Sequence, residues 1–277
     1  MRTEGEFRAL LSLLSDEQEP VAKAAWDALL QAGDDAVPYL QEAFNAPDVT
    51  LRGRARALLE ELRISGLESR WREFLRAPDE RLDLERGCLL LAGITGAEVN
   101  ERAVQSFLDV VAGTVRAHMV ASGGLHALGE VLFDNLGFRG GDFDNPDHHY
   151  LPAVLDRRRG VPIALAAVYI IVGRRAGLPV YGVAMPDHFL ALYERADQPA
   201  YVDCFNRGQI YRYETLHNLL ARRGMAYPDQ ILAPCSHRFT LYRMLNNLDR
   251  VYTESGNDRL AARVRRWRSH IQVEMNG

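Results

Sequence analysis

The sequence predicts a predominantly helical α+β fold, and three observations carry that expectation. Leucines and alanines recur at helical spacing in matched segments through the first third of the chain. The apolar run over 161–172 is too long for a strand. Two alternating apolar stretches, HFLALY and AYVDCF, flank the polar, proline-containing ERADQP, which is a hairpin pattern.

The matched segments come first in the chain. APDVTLRGRARALLEEL from Ala46 and APDERLDLERGCLLLAG from Ala77 share an opening triplet at an offset of 31 residues, so Leu51, Leu58 and Leu59 correspond to Leu82, Leu89 and Leu90. EPVAKAAWDALL from Glu19 fits as an earlier copy, with Val21 and Leu29 matching Leu51 and Leu59. Gly33, Pro38, Pro47 and Pro78 punctuate the turns. These two-helix units resemble HEAT repeats. Two or three units are few for a free-standing solenoid, so they are expected to bury an end or concave face on the next domain.

Residues 100–129 read as an amphipathic helix with Val104, Phe107, Leu108, Val111 and Val115 on one stripe, interrupted at Ser122-Gly123-Gly124. Residues 137–150, rich in Gly, Asp and Asn and ending in His148-His149-Tyr150, are expected to form a long solvated loop over a cleft. The loop lacks the ligand order of an EF-hand, and adjacent histidines rarely point at one centre, so no metal site is assigned to it. Arg157, Arg158 and Arg159 are expected to pair with carboxylates of that acidic region, Asp144 and Asp156 being available.

The run 161–172 reads as a buried helix opening just after Gly160, with Pro162 at its first position, where a missing N–H costs nothing. His188 then sits on the first hairpin strand and Asp203 on the second; a turn centred on residues 195 and 196 would set them directly opposite each other. YETLHNLLARR reads as a short helix, and the stretch from Ser236 gives two further helices around a turn at residues 255–258, a pair resembling one tetratricopeptide hairpin. Arginines 263, 265, 266 and 268 interleave with Val264 and Trp267, which fits a snorkelling amphipathic face better than a nucleic-acid footprint.

A helix start, a histidine strand and an aspartate strand in this order make up the scaffold of a cysteine hydrolase: the helix N-terminus lowers a thiol pKa and receives an oxyanion, and imidazole and carboxylate activate the thiol. The order resembles the papain-like transglutaminase-like superfamily. The motifs LFDNLGFRGG, DNPDHHYLPAVLDRRRGVPIALAAVY, PDHF and VDCFNRG more closely resemble its SirB-one branch, over roughly residues 70 to 270. Taken together, these readings give HEAT-like repeats over 1–66, a transglutaminase-like core over 67–230 in which a buried helix packs on a small antiparallel sheet, as the resemblance implies, and a tetratricopeptide-like hairpin over 231–277.

Aligned on that family, Pro162 occupies the nucleophile position, and proline has no nucleophilic side chain. His188 and Asp203 match the family's histidine and aspartate, and Asn206 falls in the following turn. The resemblance further implies a polar pocket drawing on Asn135, His148, His149, Arg158, Asp187, Cys204 and Asn206. Asp187 stands where the family has glycine, Cys204 where it has proline, and His148-His149 where it has Asn-Ser, so ligand preferences do not carry over. Cys204 adjoins Asp203, and period-2 alternation sends the two side chains to opposite faces. Cys235 lies where a loop leads into a helix, with His237 two residues on, and Cys88 is flanked by leucine on an apolar face.

Composition narrows the partners. A net charge of −4 and a pI near 6.1 give no general attraction to nucleic acid or anionic membranes. Three cysteines without paired spacing form neither a disulfide framework nor a zinc pattern, the N-terminus lacks a signal peptide's features, and no run is long enough to span a bilayer, so a cytoplasmic protein is expected. No cofactor is expected. The function expected is a non-catalytic transglutaminase-like module that binds a protein or peptide; the alternative is an amide or peptide hydrolase or acyltransferase using His188 and Asp203 with water or a relocated cysteine.

Overall fold

The computed structural model describes residues 2–194 and 199–276, the last four as backbone only. Two compact units divide the chain, Met1–Arg70 and Trp71–Gly277.

In the first unit, α1 (Glu4–Leu14) starts from a capping box in which Thr3 and Glu6 satisfy each other's backbone N–H groups. It is followed by α2 (Glu19–Ala32), α3 (Val37–Glu42) and α4 (Val49–Leu75), whose last residues belong to the second unit. Phe7, Leu14, Leu29, Leu40 and Leu58 form the core here, and Phe7 stacks on Tyr39 with centroids 4.6 Å apart. Leu29, Leu58 and Leu59, three of the positions matched between segments, are all buried.

The second unit is predominantly helical with one small antiparallel sheet. Helices α5 (Leu84–Ala92), α6 (Glu101–Ser122) and α7 (Gly124–Gly129) lead into a π-helical turn over Glu130–Asn135. The break between α6 and α7 falls at Gly123, as its sequence neighbourhood predicts. A short parallel pairing joins β1 (Arg139–Gly140) to β2 (Arg159–Gly160), and α8 (Leu151–Arg157) lies between them in the chain. Helix α9 (Pro162–Arg175) opens at Pro162 and is buried over almost its whole length, the expected central core element.

After α9 comes the sheet, β3 (Val180–Val183), β4 (Leu190–Tyr193), β5 (Ala200–Asp203) and β6 (Gln209–Arg212), antiparallel in sequence order. Gly173 of α9 lies so near β3 that an added Cβ would come within 2.3 Å of Val180. On the other sheet face Val183, Leu190, Leu192 and Tyr201 pack on Leu216 and Leu220 of α10 (Tyr213–Arg222) and on Leu232 of α11 (Pro228–Leu232). Helices α12 (His237–Glu254) and α13 (Asp258–Asn276) are antiparallel, with Asp249 accepting from both Arg265 and Arg268. Arg263 donates to the Ile94 carbonyl, while Val264 and Trp267 are buried. Three of the four C-terminal arginines are thus engaged within the fold, and Arg266 also has a partner.

Three expectations need correction. Residues 137–150 are solvated only in part: Asp142, Phe143 and Asp144 are exposed, but His148 and His149 are buried in a 3-10 turn, and the segment is tied to its surroundings by backbone bonds. The two hairpin stretches, six residues each as read from the sequence, are strands of four residues, and His188 falls before the first of them; β3 and β6 flank them in the small sheet. The hairpin's register is not the symmetric one, because Ala191 faces Val202 rather than Ala200. The turn expected at residues 195 and 196 lies outside the described residues.

Candidate functional site

His188 and Asp203 meet although neither the strand limits nor the register is the expected one. His188 lies in the turn before β4, its N–H 3.4 Å from the Met185 carbonyl, and the preceding Asp187 takes a left-handed φ of 56°. A register shift of two residues preserves which face a side chain points to, so the histidine reaches the aspartate diagonally instead of directly. His188 Nε2 stands 2.9 Å from Asp203 Oδ2. The pair lies within ion-pair distance, and the contact helps hold the Asp203 carboxyl down.

Asp203 ends β5 and is held on every side. Its Oδ1 accepts from the Phe205 and Asn206 N–H groups at 3.1 and 3.2 Å, and its Oδ2 accepts from the Asn206 side-chain amide at 2.8 Å. Burial by itself would raise this carboxyl, but the His188 contact and the Asn206 bonds outweigh it and hold the group below the ordinary carboxylate value. The carboxylate side chain is only 4% exposed, whereas His188 keeps 28%, so solvent reaches the imidazole away from its buried Nε2.

Phe205 covers this pair. Its ring meets His188 edge-on at 6.4 Å and lies obliquely on Phe143 at 5.6 Å, and an added Cβ on Gly140 would come within 2.7 Å of it. The Gly140 N–H donates to the Phe205 carbonyl, Gly141 N–H to Gly160 and Val161 N–H to His148, so the loop 137–150 is laced to the start of α9. The two histidines are used in holding that loop: His148 Nδ1 is 2.9 Å from the Asp142 carbonyl, and His149 Nε2 is 2.9 Å from that of Phe143.

Of the residues singled out in the sequence, the structure brings His188, Asp203 and Asn206 together. Pro162 is buried at the first position of α9. Arg158 turns its guanidinium onto the rings of Phe107 and Phe138, at 4.5 and 5.0 Å, and Asn135 and Asp187 are exposed. The arginine cluster reaches its carboxylate at neither expected residue: Arg157 pairs with Asp147 at 2.6 Å.

None of the thiols resembles an activated nucleophile. Cys204 is fully buried and burial raises its pKa well above the ordinary value. Burial also pushes up Cys88, 3.8 Å from the Met244 sulfur, and Cys235, 3.5 Å from the Thr240 hydroxyl. Among the described residues no three His, Cys, Asp or Glu side chains gather as a metal site, and no described helix is long and apolar enough to cross a membrane. Sequence reasoning missed Phe143 and Phe205 as site walls; their only signal is two aromatics in otherwise polar turns.

Comparison with known proteins fits this geometry. Residues 102–246 match the transglutaminase-like superfamily. Two UPF0162 proteins from strains of Xylella fastidiosa are 33% identical over 205 residues, covering 70% of this chain and 73% of each relative. F-box only protein 21 of Mus musculus is 30% identical over 134 residues, covering 45% of this chain and 21% of that protein. No solved structure matches the chain.

Proposed function

The chain belongs to the transglutaminase-like superfamily, and from that membership we propose that it is a non-catalytic member, of the SirB-one branch, which binds a protein or peptide in the cytoplasm. The observation that carries the reading is Pro162. The residue that aligns with the family's nucleophile has no reactive atom, and it is buried at the first position of α9. Free thiols at all three cysteines suit a reducing compartment, and burial raises the pKa of each. Phe143, at the surface beside Phe205 and the open side of His188, offers an aromatic platform with a polar neighbour, a surface suited to a peptide side chain. HEAT-like segments before this core and a tetratricopeptide-like hairpin after it suit a scaffold.

The test is selection from a displayed random-peptide library against the full chain. Enriched peptides that bind the wild type and His188→Ala but not Phe143→Ala support the reading. A specific observation keeps one competing reading in view: an ionised, buried Asp203 against a partly exposed His188 is the arrangement of a general base and its orienting group. Saturable hydrolysis of a glutamine-containing peptide, lost in both His188→Ala and Asp203→Ala, would replace the binding module with a water-activating amidase.

A further inference from the structure

Helix α6 turns an apolar face outward. It buries Val104, Leu108, Val111 and Val115, and a helix so placed is expected to carry charge on its opposite side. Instead Ala103, Ser106, Val110, Thr114, Ala117 and Ala121 form an exposed, uncharged row at three- and four-residue spacing. Val110 is 69% exposed, and Val120, at the edge of the row, is 91% exposed. The Thr114 hydroxyl donates to the Val110 carbonyl, so it asks nothing of a partner. From Ala103 to Ala121 the row is about 28 Å long, and an exposed apolar surface of that extent on a folded domain marks a contact surface.

The charges beside the row say what fits it. Asp109 and Arg116 stand two turns apart along one edge, both anchored by Arg175, whose guanidinium pairs with Asp109 and whose carbonyl accepts from Arg116 at 2.7 Å. The second Asp109 oxygen and the remaining Arg116 N–H groups stay available, and the Asp109 side chain is 69% exposed. The midpoint of the row falls at Ala112, and the midpoint between Asp109 and Arg116 lies between Ala112 and Gly113. A second α6 laid antiparallel about that point sets Val110 of each copy against Thr114 of the other, and Asp109 of each beside Arg116 of the other. Gly113, where an added Cβ would meet only Arg116 at 3.8 Å, lets the backbones approach at the centre. A parallel pair would place the two charged edges on opposite sides of the contact, and the match would be lost.

We propose that α6 pairs with α6 of a second copy of this chain in an antiparallel two-fold dimer. The pairing is isologous, so it closes and does not grow into a filament. One helix pair buries less than the standard interface of about 1,600 Å², so the dimer is weak, with a dissociation constant on the order of 10–100 µM. The surface shares no residue with the His188 platform and stands whether or not a peptide binds there.

Sedimentation equilibrium of the full chain between about 5 and 500 µM tests this, with the monomer–dimer constant as the readout. The wild type dimerises, and Val110→Asp weakens the dimer about tenfold by burying a charge in the contact. Arg116→Asp and Asp109→Arg, each alone, weaken it similarly by setting like charges across the edge. Mixing those two charge variants restores a heterodimer of about wild-type strength, since each then meets its opposite, and that recovery shows both to be folded. The inference is overturned if the wild type stays monomeric through that range, if Val110→Asp dimerises as the wild type does, or if the mixed charge variants associate no better than either alone.

Discussion

Asp203 carries more of the site than His188. Four contacts converge on its carboxylate, three of them hydrogen bonds from its own turn, whereas His188 is partly solvated. Asp203→Ala is therefore expected to cost about 2–4 kcal/mol by leaving buried N–H groups unpaired, and His188→Ala about 1 kcal/mol or less; urea unfolding of both variants checks the order. Because the folded carboxyl titrates below its ordinary value, its contribution is present above about pH 4 and disappears as the pH falls through the folded value. Burial lowers the pKa of His149 and His237 despite their carbonyl bonds. Their contribution is present above about pH 6.5 and is lost as the pH falls toward the folded values. The urea midpoint should drop between pH 7.5 and 5, and the drop should shrink in His149→Gln; an unchanged slope would show that His149 protonates freely. The meeting of His188 with Asp203 was expected from the hairpin pattern, although His188 lies before β4 and the register is shifted by two residues; Asn206 entered only through the family resemblance. Phe143 was not legible, since its contact with Phe205 joins residues far apart in sequence.

At the scale of elements, the start and core of α9 were legible, since an unbroken apolar run with proline at its start has few other homes, although the helix continues past the run to Arg175. Leu165→Asp on that helix should unfold the second unit by burying an unpaired charge. Strands β3 and β6 were not legible, because VYGV and QIYR are four-residue segments with no clear contrast between faces. The loop 137–150 misled for a physical reason: its polar residues satisfy one another and nearby carbonyls, leaving the segment packed. Gly208 is the tightest point of the β5–β6 turn, with a φ of 77° and room for a Cβ only 2.3 Å from the Phe133 ring. Gly208→Ala should cost about 2–4 kcal/mol, adding backbone strain to overpacking, whereas Gly33→Ala, also at positive φ but with open space, should cost about 1 kcal/mol. Equal losses in thermal unfolding would show that contact with Phe133 contributes nothing.

For the molecule as a whole, long-range polar bonds decide how the second unit closes, and no sequence periodicity announces them. Arg238, on α12, donates to the carbonyls of Leu75 and Ala77 and pairs with Asp79, satisfying the end of α4. Trp71 stacks on Trp267 at 5.0 Å and donates to its carbonyl, 196 positions away in the chain. Arg238→Ala should cost about 1–3 kcal/mol, chiefly by leaving the Leu75 and Ala77 carbonyls without their donor, and hydrogen exchange should quicken at the end of α4. The claim on which the functional account turns is that no thiol works with His188. Intact-mass analysis of the native chain after exposure to iodoacetamide at neutral pH tests it directly. Slow alkylation, equal in wild type and His188→Ala, is the predicted result; rapid stoichiometric modification of one cysteine that slows sharply in His188→Ala would contradict it and make the protein a cysteine enzyme.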